Sequence, residues 1–393
     1  MRDVVLAGAV RTAIGSFSGT LSTVPAAELG AIAISGAINK AGISPGQVDE
    51  VLMGCILQTG QGQNVARQAA IHAGLPVETP ASTINNVCGS GLKTVCMAAA
   101  MIQTGETEIV VAGGMENMSA AMYALENART GYRMGDGKLI DTMIRDALWD
   151  AFNDYHMGNT AENLAEKYII TREMQDEYAA ESQKKCEEAR NAGKFTDEIV
   201  TVTIKNKKGD ILFSEDEYPR NGVTAESISK LRPAFIKDGT VTAANSSGIN
   251  DGAAAIVVMS ADKAAELGVI PMARWIGGAS AGVEPSVMGI GPAASTKKLL
   301  QQTGLELNDI DLIEANEAFA VQCIAVSKEL GFDPEKVNVN GGAIALGHPV
   351  GASGCRILVT LLHELKRRGA GKGLATLCVG GGMGVSAIVE NIV

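Results

Sequence analysis

The sequence predicts an α/β fold made of two repeated halves with a segment inserted between them. Three observations predict it: short apolar runs alternate with helical patterns, one helix–turn–strand pattern occurs twice, and a charge-dense stretch separates the two copies. We expect a first half over residues 1–119 and 249–270, an inserted covering segment over 120–248, and a second half over 271–393.

The first half alternates strands and helices from its start. Pro25 and Gly42 bracket its first helix, because proline suits the first helical turn and glycine suits the left-handed residue after the last. The predicted elements are strands at 3–9, 50–55, 82–87 and 107–113, and helices at 26–40, 63–73 and 90–104.

The inserted segment differs from both halves in composition. It is charge-dense and contains an amphipathic helix at 173–191, and its edges are marked by G-G-M-E-N-M-S at 113–119 and T-A-A-N-S-S-G at 242–248. The apolar run at 253–259 predicts a buried strand that returns to the first half. Segments of this kind often cover a functional site.

The last third repeats the pattern of the first. The predicted elements are strands at 273–280, 310–315, 336–340, 374–379 and 385–391, and helices at 293–303, 317–330 and 352–368. Gly42 and Gln47 align with Gly304 and Asp309 at one constant offset, and both copies then run through a strand to a glycine-rich turn. We interpret the halves as two copies of one α/β unit; chance similarity between such segments is the alternative.

Composition and charge exclude several classes of protein. With 46% hydrophobic and 20% charged residues, the chain is too apolar for a disordered protein. Its longest apolar run is about eight residues, far short of the roughly 20 that a membrane helix needs. The net charge of −11 disfavours binding to nucleic acid or to an anionic membrane surface, so a phosphate-bearing ligand would need a local basic patch.

The cysteines and the chain start bear on the cellular compartment. Seven cysteines without a C-x-x-C pair argue against a disulfide framework and against a thiolate zinc site. No targeting segment is visible at the start of the sequence. We therefore expect a protein of the cytoplasm.

Cys88, in the motif N-V-C-G-S-G at 86–91, is the first candidate for chemistry. It stands where a strand runs into a helix, so the helix dipole is expected to lower the thiol pKa and favour the thiolate. Its own backbone N–H could stabilise an oxyanion. A buried structural cysteine in a tight turn is the alternative.

Three further residues lie in comparable turns. His348 follows the glycine-rich sequence 341–347, which would hold an imidazole rigidly as a base or an oxyanion donor; a satisfied structural histidine is the alternative. Cys378 precedes the glycines at 380–382, which leave backbone N–H groups free, although a simple turn between strands is equally consistent. Asn316 ends a strand, where it either caps a helix or orients a water.

Placement favours the functional interpretation of these residues. In an α/β unit the strand ends that precede helices gather on one face of the sheet, and a twofold relation between the copies would bring both faces together. No Walker loop, dinucleotide fingerprint or metal-ligand spacing competes with them. We therefore expect the two cysteines, the histidine and the asparagine to converge.

The ordered set of motifs resembles the thiolase family over essentially the whole chain. It comprises the cysteine turn, N-E-A-F-A at 316–320, G-G-A-I-A-L-G-H-P-V-G-A-S-G at 341–354 and C-V-G-G-G-M-G at 378–384. The biosynthetic subgroup is the most similar, because N-D-Y-H-M-G at 153–158 stands where that subgroup carries its covering loop. The resemblance implies a five-layer αβαβα core, a loop domain over the active site and a homotetramer built as a dimer of dimers.

The resemblance also implies an activity, the reversible condensation of two acetyl-CoA molecules to acetoacetyl-CoA and CoA. Cys88 would accept the acetyl group, and His348 would activate its thiol and donate a hydrogen bond to an oxyanion. Asn316 would hold the water that completes this oxyanion hole, and Cys378 would be the acid/base. The backbone N–H groups of Cys88 and Gly380 would form a second oxyanion hole, and no metal or redox cofactor is implied.

A further set of positions matches the residues of the family that bind coenzyme A, its pantetheine arm or the acyl group. These residues are Arg220, Ser227, Ser247, Leu148, His156, Met157, Phe235, Ala243, Met288, Ala318 and Phe319. Ordinary core packing is the alternative for the apolar members. Asn86 departs from the family, because relatives commonly carry a basic residue there.

Other functions remain open at this stage. A degradative 3-ketoacyl-CoA thiolase would accept longer acyl chains, but His156 and Met157 in the covering loop argue against it. A decarboxylating ketoacyl synthase would place a second histidine at Asn316 and would lack Cys378. A non-catalytic acyl-CoA or lipid carrier is disfavoured because all four reactive positions are present.

Overall fold

A computed structural model describes residues 1–392 of the chain. Its strands are β1 (Val4–Thr12), β2 (Gly15–Ser16), β3 (Glu50–Gly54), β4 (Ala81–Ile84), β5 (Ile109–Asn117), β6 (Tyr123–Leu125), β7 (Leu139–Asp141), β8 (Trp149–Asp150), β9 (Tyr155–His156), β10 (Ile199–Val200), β11 (Val202–Ile204), β12 (Ile211–Phe213), β13 (Asn250–Ser260), β14 (Ala273–Gly282), β15 (Leu312–Ala315), β16 (Lys372–Val379) and β17 (Met383–Asn391). Its helices are α1 (Ala26–Ala41), α2 (Val65–His72), α3 (Ser90–Thr104), α4 (Met157–Tyr168), α5 (Arg172–Asn191), α6 (Ala225–Ile228), α7 (Ala261–Leu267), α8 (Gly291–Thr303), α9 (Ala320–Leu330), α10 (Ala343–Leu346) and α11 (Val350–Arg368).

Two half-sheets of the same topology meet edge to edge. The path of strands is β15-β16-β17-β14-β1-β13-β5-β3-β4. In each half a parallel pair, β3 with β5 or β15 with β16, is followed by two antiparallel neighbours. The halves join where β1 pairs antiparallel with β14, through Val5 opposite Arg274 and Leu6 opposite Ala273. The duplication predicted from the sequence is therefore confirmed.

The helices complete five layers. α1 and α2 pack on the outer face of the first half-sheet, and α8, with Val326 of α9 beside it, packs on the outer face of the second. α3 and α11 lie between the half-sheets and contact strands of both, and all of α11 from Val350 to Leu365 is buried. Because these helices lie between two sheets, most of their buried residues are apolar or small. The αβαβα architecture follows from this arrangement.

Close backbone contact holds the middle helices against the strands. A Cβ atom on Gly114 of β5 would lie 2.0 Å from the carbonyl oxygen of Gly351, and one on Gly91 of α3 would lie 2.8 Å from the nitrogen of Cys355. Glycine is required at both places because a side chain would push the layers apart. This packing fixes the turns at the ends of α3 and α11, where the sequence places Cys88 and His348.

The inserted segment lies between β5 and β13, and the sequence predicted its main features. The helix expected at 173–191 is α5, and the run expected to return to the first half is β13, which lies between β1 and β5. The domain ranges 1–119 plus 249–270, 120–248 and 271–393 stay a prediction. No helix within residues 1–392 is both long and apolar enough to cross a membrane.

One predicted strand is wrong. Residues 336–340 form the end of a 3₁₀ turn, Pro334–Lys336, and a tight turn with a single bridge between Ile313 and Val337. The alternation of polar and apolar residues there is that of a strand. Asn338 nevertheless has φ +43°, and its side chain bonds both the N–H and the carbonyl of Ala315, replacing the ladder that a strand would have made.

Candidate active site

Cys88 lies in the turn between β4 and α3. Val87 has φ +43°, the amide of Gly89 donates to the carbonyl of Asn86, and the hydroxyl of Ser90 donates to the carbonyl of Val87. A Cβ on Gly89 would lie 2.8 Å from Val379 of β16, so only glycine lets the turn rest against the second half. The thiol of Cys88 faces a cavity of about 370 Å³.

The electrostatic setting of Cys88 differs from the sequence prediction. Burial raises the pKa of its thiol to about 11, and the N–H groups of Gly380 and of Cys88 itself offset only part of that effect. Desolvation of a thiolate outweighs the field of the helix start. The prediction of a lowered pKa was wrong, and Cys88 rests as a thiol that needs a base.

His348 lines the same cavity. Its backbone N–H donates to Asn250 Oδ1 (2.9 Å), its Nδ1 lies 2.5 Å from Ser353 Oγ, and its Nε2 has no hydrogen-bond partner among the described residues. The Ser353 hydroxyl donates to the carbonyl of Pro349 (2.9 Å) and therefore accepts from Nδ1. This assignment places the imidazole proton on Nδ1 and leaves the lone pair of Nε2 free to accept a proton.

His348 is neutral at physiological pH. Burial, with a smaller contribution from the charge of Arg356, lowers the pKa of its imidazole to about 3. A histidine whose hydrogen bonds are all made to protein groups is typically structural, so an Nε2 without a protein partner favours a functional ring. A neutral imidazole with a free Nε2 is the form that can take a proton from a thiol.

Cys378 lies near the end of β16, and Gly380 begins the turn that leads to β17. Cys378 is fully buried against Met157, Met288 and Phe319, and burial with the nearby Cys88 raises its pKa far above the usual thiol range. Gly380 lines the cavity, and its N–H approaches the sulfur of Cys88. The structure thus brings Cys88, His348 and Gly380 to one cavity, with Cys378 close enough to Cys88 for their charges to interact.

Asn316 follows β15, and neither its Oδ1 nor its Nδ2 has a partner within residues 1–392, although the residue is only 1% exposed. Helix α9 begins four residues later, at Ala320, with Phe319 before it. The alternative that Asn316 caps a helix is therefore wrong. A buried amide with both ends unpaired is suited to hold a water or a substrate atom.

The cavity is mostly apolar and leads from the surface to Cys88. Nine of the predicted substrate residues line it: Leu148, His156, Met157, Phe235, Ala243, Ser247, Met288, Ala318 and Phe319. His156 stacks on Phe235 with ring centroids 4.7 Å apart, and Phe235 meets Phe319 edge to face at 6.1 Å. Such walls suit the alkyl and amide chain of a pantetheine arm.

Two predicted substrate residues lie outside this lining. Arg220 is exposed, and its charge acts on the phenol of Tyr218, which does line the cavity. Ser227 is exposed, and its side chain forms a capping box with Thr224 at the start of α6. Their contact with coenzyme A stays a prediction.

Sequence reasoning missed several lining residues. They are Phe17, Met118, Ala147, Tyr218, Ala234, Ser246, Gly248, Ile249 and Val350. Four of the nine, Ala147, Ala234, Ser246 and Gly248, are direct neighbours of predicted residues, and Ile249 forms a bridge with His348, so proximity to the predicted positions was the available signal for these. Phe17 had none, because it reaches the cavity from the loop after β2.

The described residues contain no group of three or more His, Cys, Asp or Glu side chains that could hold a metal ion. All seven cysteines are unpaired.

Comparison with known proteins matches the whole chain. Residues 4–262 match the family model "Thiolase, N-terminal domain", and residues 269–391 match "Thiolase, C-terminal domain". The acetyl-CoA acetyltransferase of Cupriavidus necator is 61% identical over 392 residues, covering 100% of both chains, and that of Pseudomonas aeruginosa is 59% identical, covering 98% of both. The crystal structure of the Bacillus anthracis acetyl-CoA acetyltransferase superposes with a TM-score of 0.98 at 48% identity, covering 100% of this chain and 99% of that one.

Proposed function

The chain belongs to the thiolase family, and from this premise we propose that it is an acetyl-CoA C-acetyltransferase acting through an acetyl-Cys88 intermediate. The similarity to relatives named acetyl-CoA acetyltransferase over their full length supports the substrate class. The observation that carries the mechanism is the free Nε2 of a neutral His348 in the same cavity as the Cys88 thiol and the Gly380 N–H.

The first half-reaction forms a thioester on Cys88. Nε2 of His348 takes the thiol proton, and the sulfur attacks the carbonyl of acetyl-CoA. The oxyanion accepts hydrogen bonds from the backbone N–H groups of Cys88 and Gly380. The leaving thiolate of CoA takes a proton from Cys378. One thioester replaces another, so the acetyl group keeps its reactivity toward carbon.

The second half-reaction makes the carbon–carbon bond. The thiolate of Cys378 takes an α-proton from a second acetyl-CoA, and the enolate oxygen accepts from Nε2–H of His348 and from the water held by Asn316. The enolate carbon attacks acetyl-Cys88. The released sulfur of Cys88 takes its proton back from His348, so every group returns to its starting state and acetoacetyl-CoA leaves.

The inner end of the cavity favours a short acyl group over the longer chains of a degradative thiolase. Met157, Met288 and Phe319 are at most 8% exposed and pack with Cys378 in one apolar cluster. Bulky side chains at this place restrict the space beside the reactive sulfur atoms. We therefore favour acetoacetyl-CoA over longer 3-ketoacyl-CoA substrates for cleavage.

Other parts of the proposal concern partners and compartment. We propose that acetyl-CoA, acetoacetyl-CoA and CoA are the small-molecule partners and that no cofactor takes part. A homotetramer, a dimer of dimers, is supported by exposed apolar side chains on the hairpin of β6 and β7, including Leu125, Met134 and Leu139. A cytoplasmic location is supported by the seven unpaired cysteines.

The experiment that tests the proposal is thiolysis by CoA of acetoacetyl-CoA and of a longer 3-ketoacyl-CoA. We expect the wild-type protein to cleave acetoacetyl-CoA faster, and Cys88→Ala and Cys378→Ala to lose at least about 10³-fold in kcat. Full activity in either variant would refute the role given to that cysteine. Equal rates on both substrates would refute the preference for short chains.

A further inference from the structure

Glu317 is a buried carboxylate next to Asn316 that takes no part in the steps above. It is 1% exposed. Four hydrogen bonds converge on it, and each partner is the donor: Tyr178 Oη (3.2 Å) and Asn338 Nδ2 (2.9 Å) to Oε1, and Ser182 Oγ (2.7 Å) and Ile344 N (3.1 Å) to Oε2. The donors come from α5, from the turn after the Ile313–Val337 bridge and from α10.

One group of these bonds holds the start of the turn that carries His348. Ile344 N–H donates directly to Glu317, and Gly342 N–H donates to Ser182 Oγ (3.1 Å), which itself donates to Glu317. A Cβ on Gly342 would lie 2.2 Å from the carboxyl carbon of Glu317, so the backbone rests directly on this group. His348 has separate anchors at its own position, Asn250 and Ser353.

Another group holds Asn316 itself. Asn338 donates from Nδ2 to Glu317 and to the carbonyl of Ala315 (2.8 Å), and its Oδ1 accepts from the N–H of Ala315 (2.8 Å). Ala315 and Glu317 flank Asn316, so Asn338 holds the backbone before Asn316 and the side chain of the residue after it. The side chain of Asn316 has no hydrogen bond of its own among the described residues, and its direction therefore depends on this backbone.

We propose that Glu317 is the positioning residue of the enolate site: it joins α5 of the covering segment to the two backbone segments that present Asn316 and His348. The inference rests on the proposed function and deepens it. Glu317 acts through Asn316, whereas His348 keeps its own anchors at Asn250 and Ser353, so loss of Glu317 should affect enolate formation more than acetylation of Cys88.

The donor pattern shows why an amide cannot replace the carboxylate. A carboxylate only accepts, whereas glutamine offers one accepting oxygen and one NH₂ group. If the NH₂ group replaces Oε2, it faces the N–H of Ile344, which cannot accept a hydrogen bond. If it replaces Oε1, it faces the NH₂ group of Asn338, which is also a donor. Asn338 cannot turn over without losing both bonds to Ala315. Glu317→Gln therefore keeps the volume and breaks the network in either orientation.

The test compares the two half-reactions in Glu317→Gln. Acetylation of Cys88 is followed by the release of CoA from acetyl-CoA, and enolate formation by deuterium incorporation into the methyl group of acetyl-CoA in D₂O. We expect deuterium incorporation and the kcat of condensation to fall about 10²-fold, as when one oxyanion donor is lost, with acetylation and the KM for acetyl-CoA within about threefold of wild type.

Glu181→Gln is the matched control, since Glu181 is next to Ser182 on α5 but is half exposed and forms an ion pair with Lys184 at 4.0 Å. It should leave both half-reactions unchanged. Wild-type deuterium incorporation in Glu317→Gln, or an equal fall in both half-reactions, would overturn the positioning role. If Glu317→Gln does not fold, Ser182→Ala decides: a selective loss of about fivefold supports the role, and unchanged incorporation overturns it.

The same assays separate failure of this inference from failure of the proposed function. Wild-type protein that neither releases CoA nor incorporates deuterium, or Cys88→Ala that still releases CoA, would refute the proposed function. Wild-type protein that does both, together with a Glu317→Gln variant that also does both, would refute only the role of Glu317.

Discussion

At the scale of single residues, the site depends on two groups that burial keeps uncharged. The pKa of Cys88 is raised to about 11 and that of His348 lowered to about 3, so thiol and imidazole meet as a neutral pair over the whole physiological range. The charged forms arise only when substrate is bound and hydrogen-bond donors are aimed at the developing charge. The tautomer of His348, set by Ser353, is therefore as important as its position.

Ser353→Ala should lower kcat about tenfold, since it removes a hydrogen bond of about 1 kcal/mol or slightly more that fixes Nδ1–H. The thiolysis rate with acetoacetyl-CoA is the measurement. Ser295→Ala is the control, because Ser295 is equally buried near the start of α8 and bonds Pro292 and Ser386 away from the cavity. A Ser353→Ala enzyme as fast as this control would contradict the tautomer argument.

The rate of alkylation of Cys88 should continue to rise at pH values at which the rate for an ordinary cysteine has already reached its plateau. A raised thiol pKa means that the thiolate fraction grows about tenfold per pH unit from pH 7 to pH 10, and levels only near the value of about 11. The rate of inactivation by iodoacetamide in the absence of substrate measures this. Free cysteine, which levels near its own pKa of about 8.5, is the reference, and a plateau of the enzyme below pH 9 would contradict the expectation.

At the scale of elements, the layers touch backbone to backbone where they present the catalytic turns. Gly114 of β5 lies against Gly351 of α11, and Gly384 of β17 lies against Gly291 at the start of α8, where a Cβ would be 2.1 Å from the carbonyl oxygen. Close contact between two glycine backbones thus occurs on strands of both halves. At these positions the contact allows no side chain at all, whereas burial alone would allow any apolar one.

Gly114→Ala should destabilise the fold by about 2–3 kcal/mol, because the added methyl group meets the Gly351 carbonyl and rigid layers cannot shift without cost. Urea denaturation followed by fluorescence measures the free energy of unfolding. Gly46→Ala is the control: a Cβ there would meet nothing within 4 Å, and it should change stability by less than about 0.5 kcal/mol. Similar values for both variants would contradict the close-contact argument.

Features that depend on neighbouring residues in the chain were predictable from the sequence, and features that depend on contacts between distant residues were not. The helices at α1, α3 and α5 and the strand β13 were predictable from periodicity and end signals. The strand expected at 336–340 was wrong because Asn338 uses its side chain in place of backbone pairing. The nature of the turns at Cys88 and His348 was predictable, whereas the pKa of Cys88 was not, since burial depends on residues far along the chain.

At the scale of the whole molecule, function depends on three parts meeting in one place. The first half supplies Cys88 and the second half supplies His348 and Gly380 to the cavity, with Cys378 packed beside it, and the inserted segment supplies His156, Met157 and Phe235 as walls of the cavity. The convergence of the two halves was predicted from their repetition. Which wall residues reach the cavity was less predictable, because the inserted segment has no repeat to guide its placement.

A charged residue on the hairpin of β6 and β7 should divide the proposed tetramer into dimers. Met134→Asp and Leu139→Lys place charges on side chains that are 97% and 63% exposed in one chain, and burying them at an interface would cost several kcal/mol. Light scattering after size-exclusion chromatography measures the mass. Ile270→Asp, at an exposed apolar residue beyond α7, is the control, and an unchanged mass of the hairpin variants would contradict this assignment.

The position of β13 bears on how the chain is made. This strand lies between β1 and β5, yet the ribosome delivers it only after the entire inserted segment has emerged. Until residue 260 is available, β1 and β5 have open edges, and open strand edges are sites of aggregation. The nascent chain must therefore keep its first half protected while more than a hundred further residues are synthesised, whereas β14 can pair with β1, and β17 with β14 and β16, as soon as each appears.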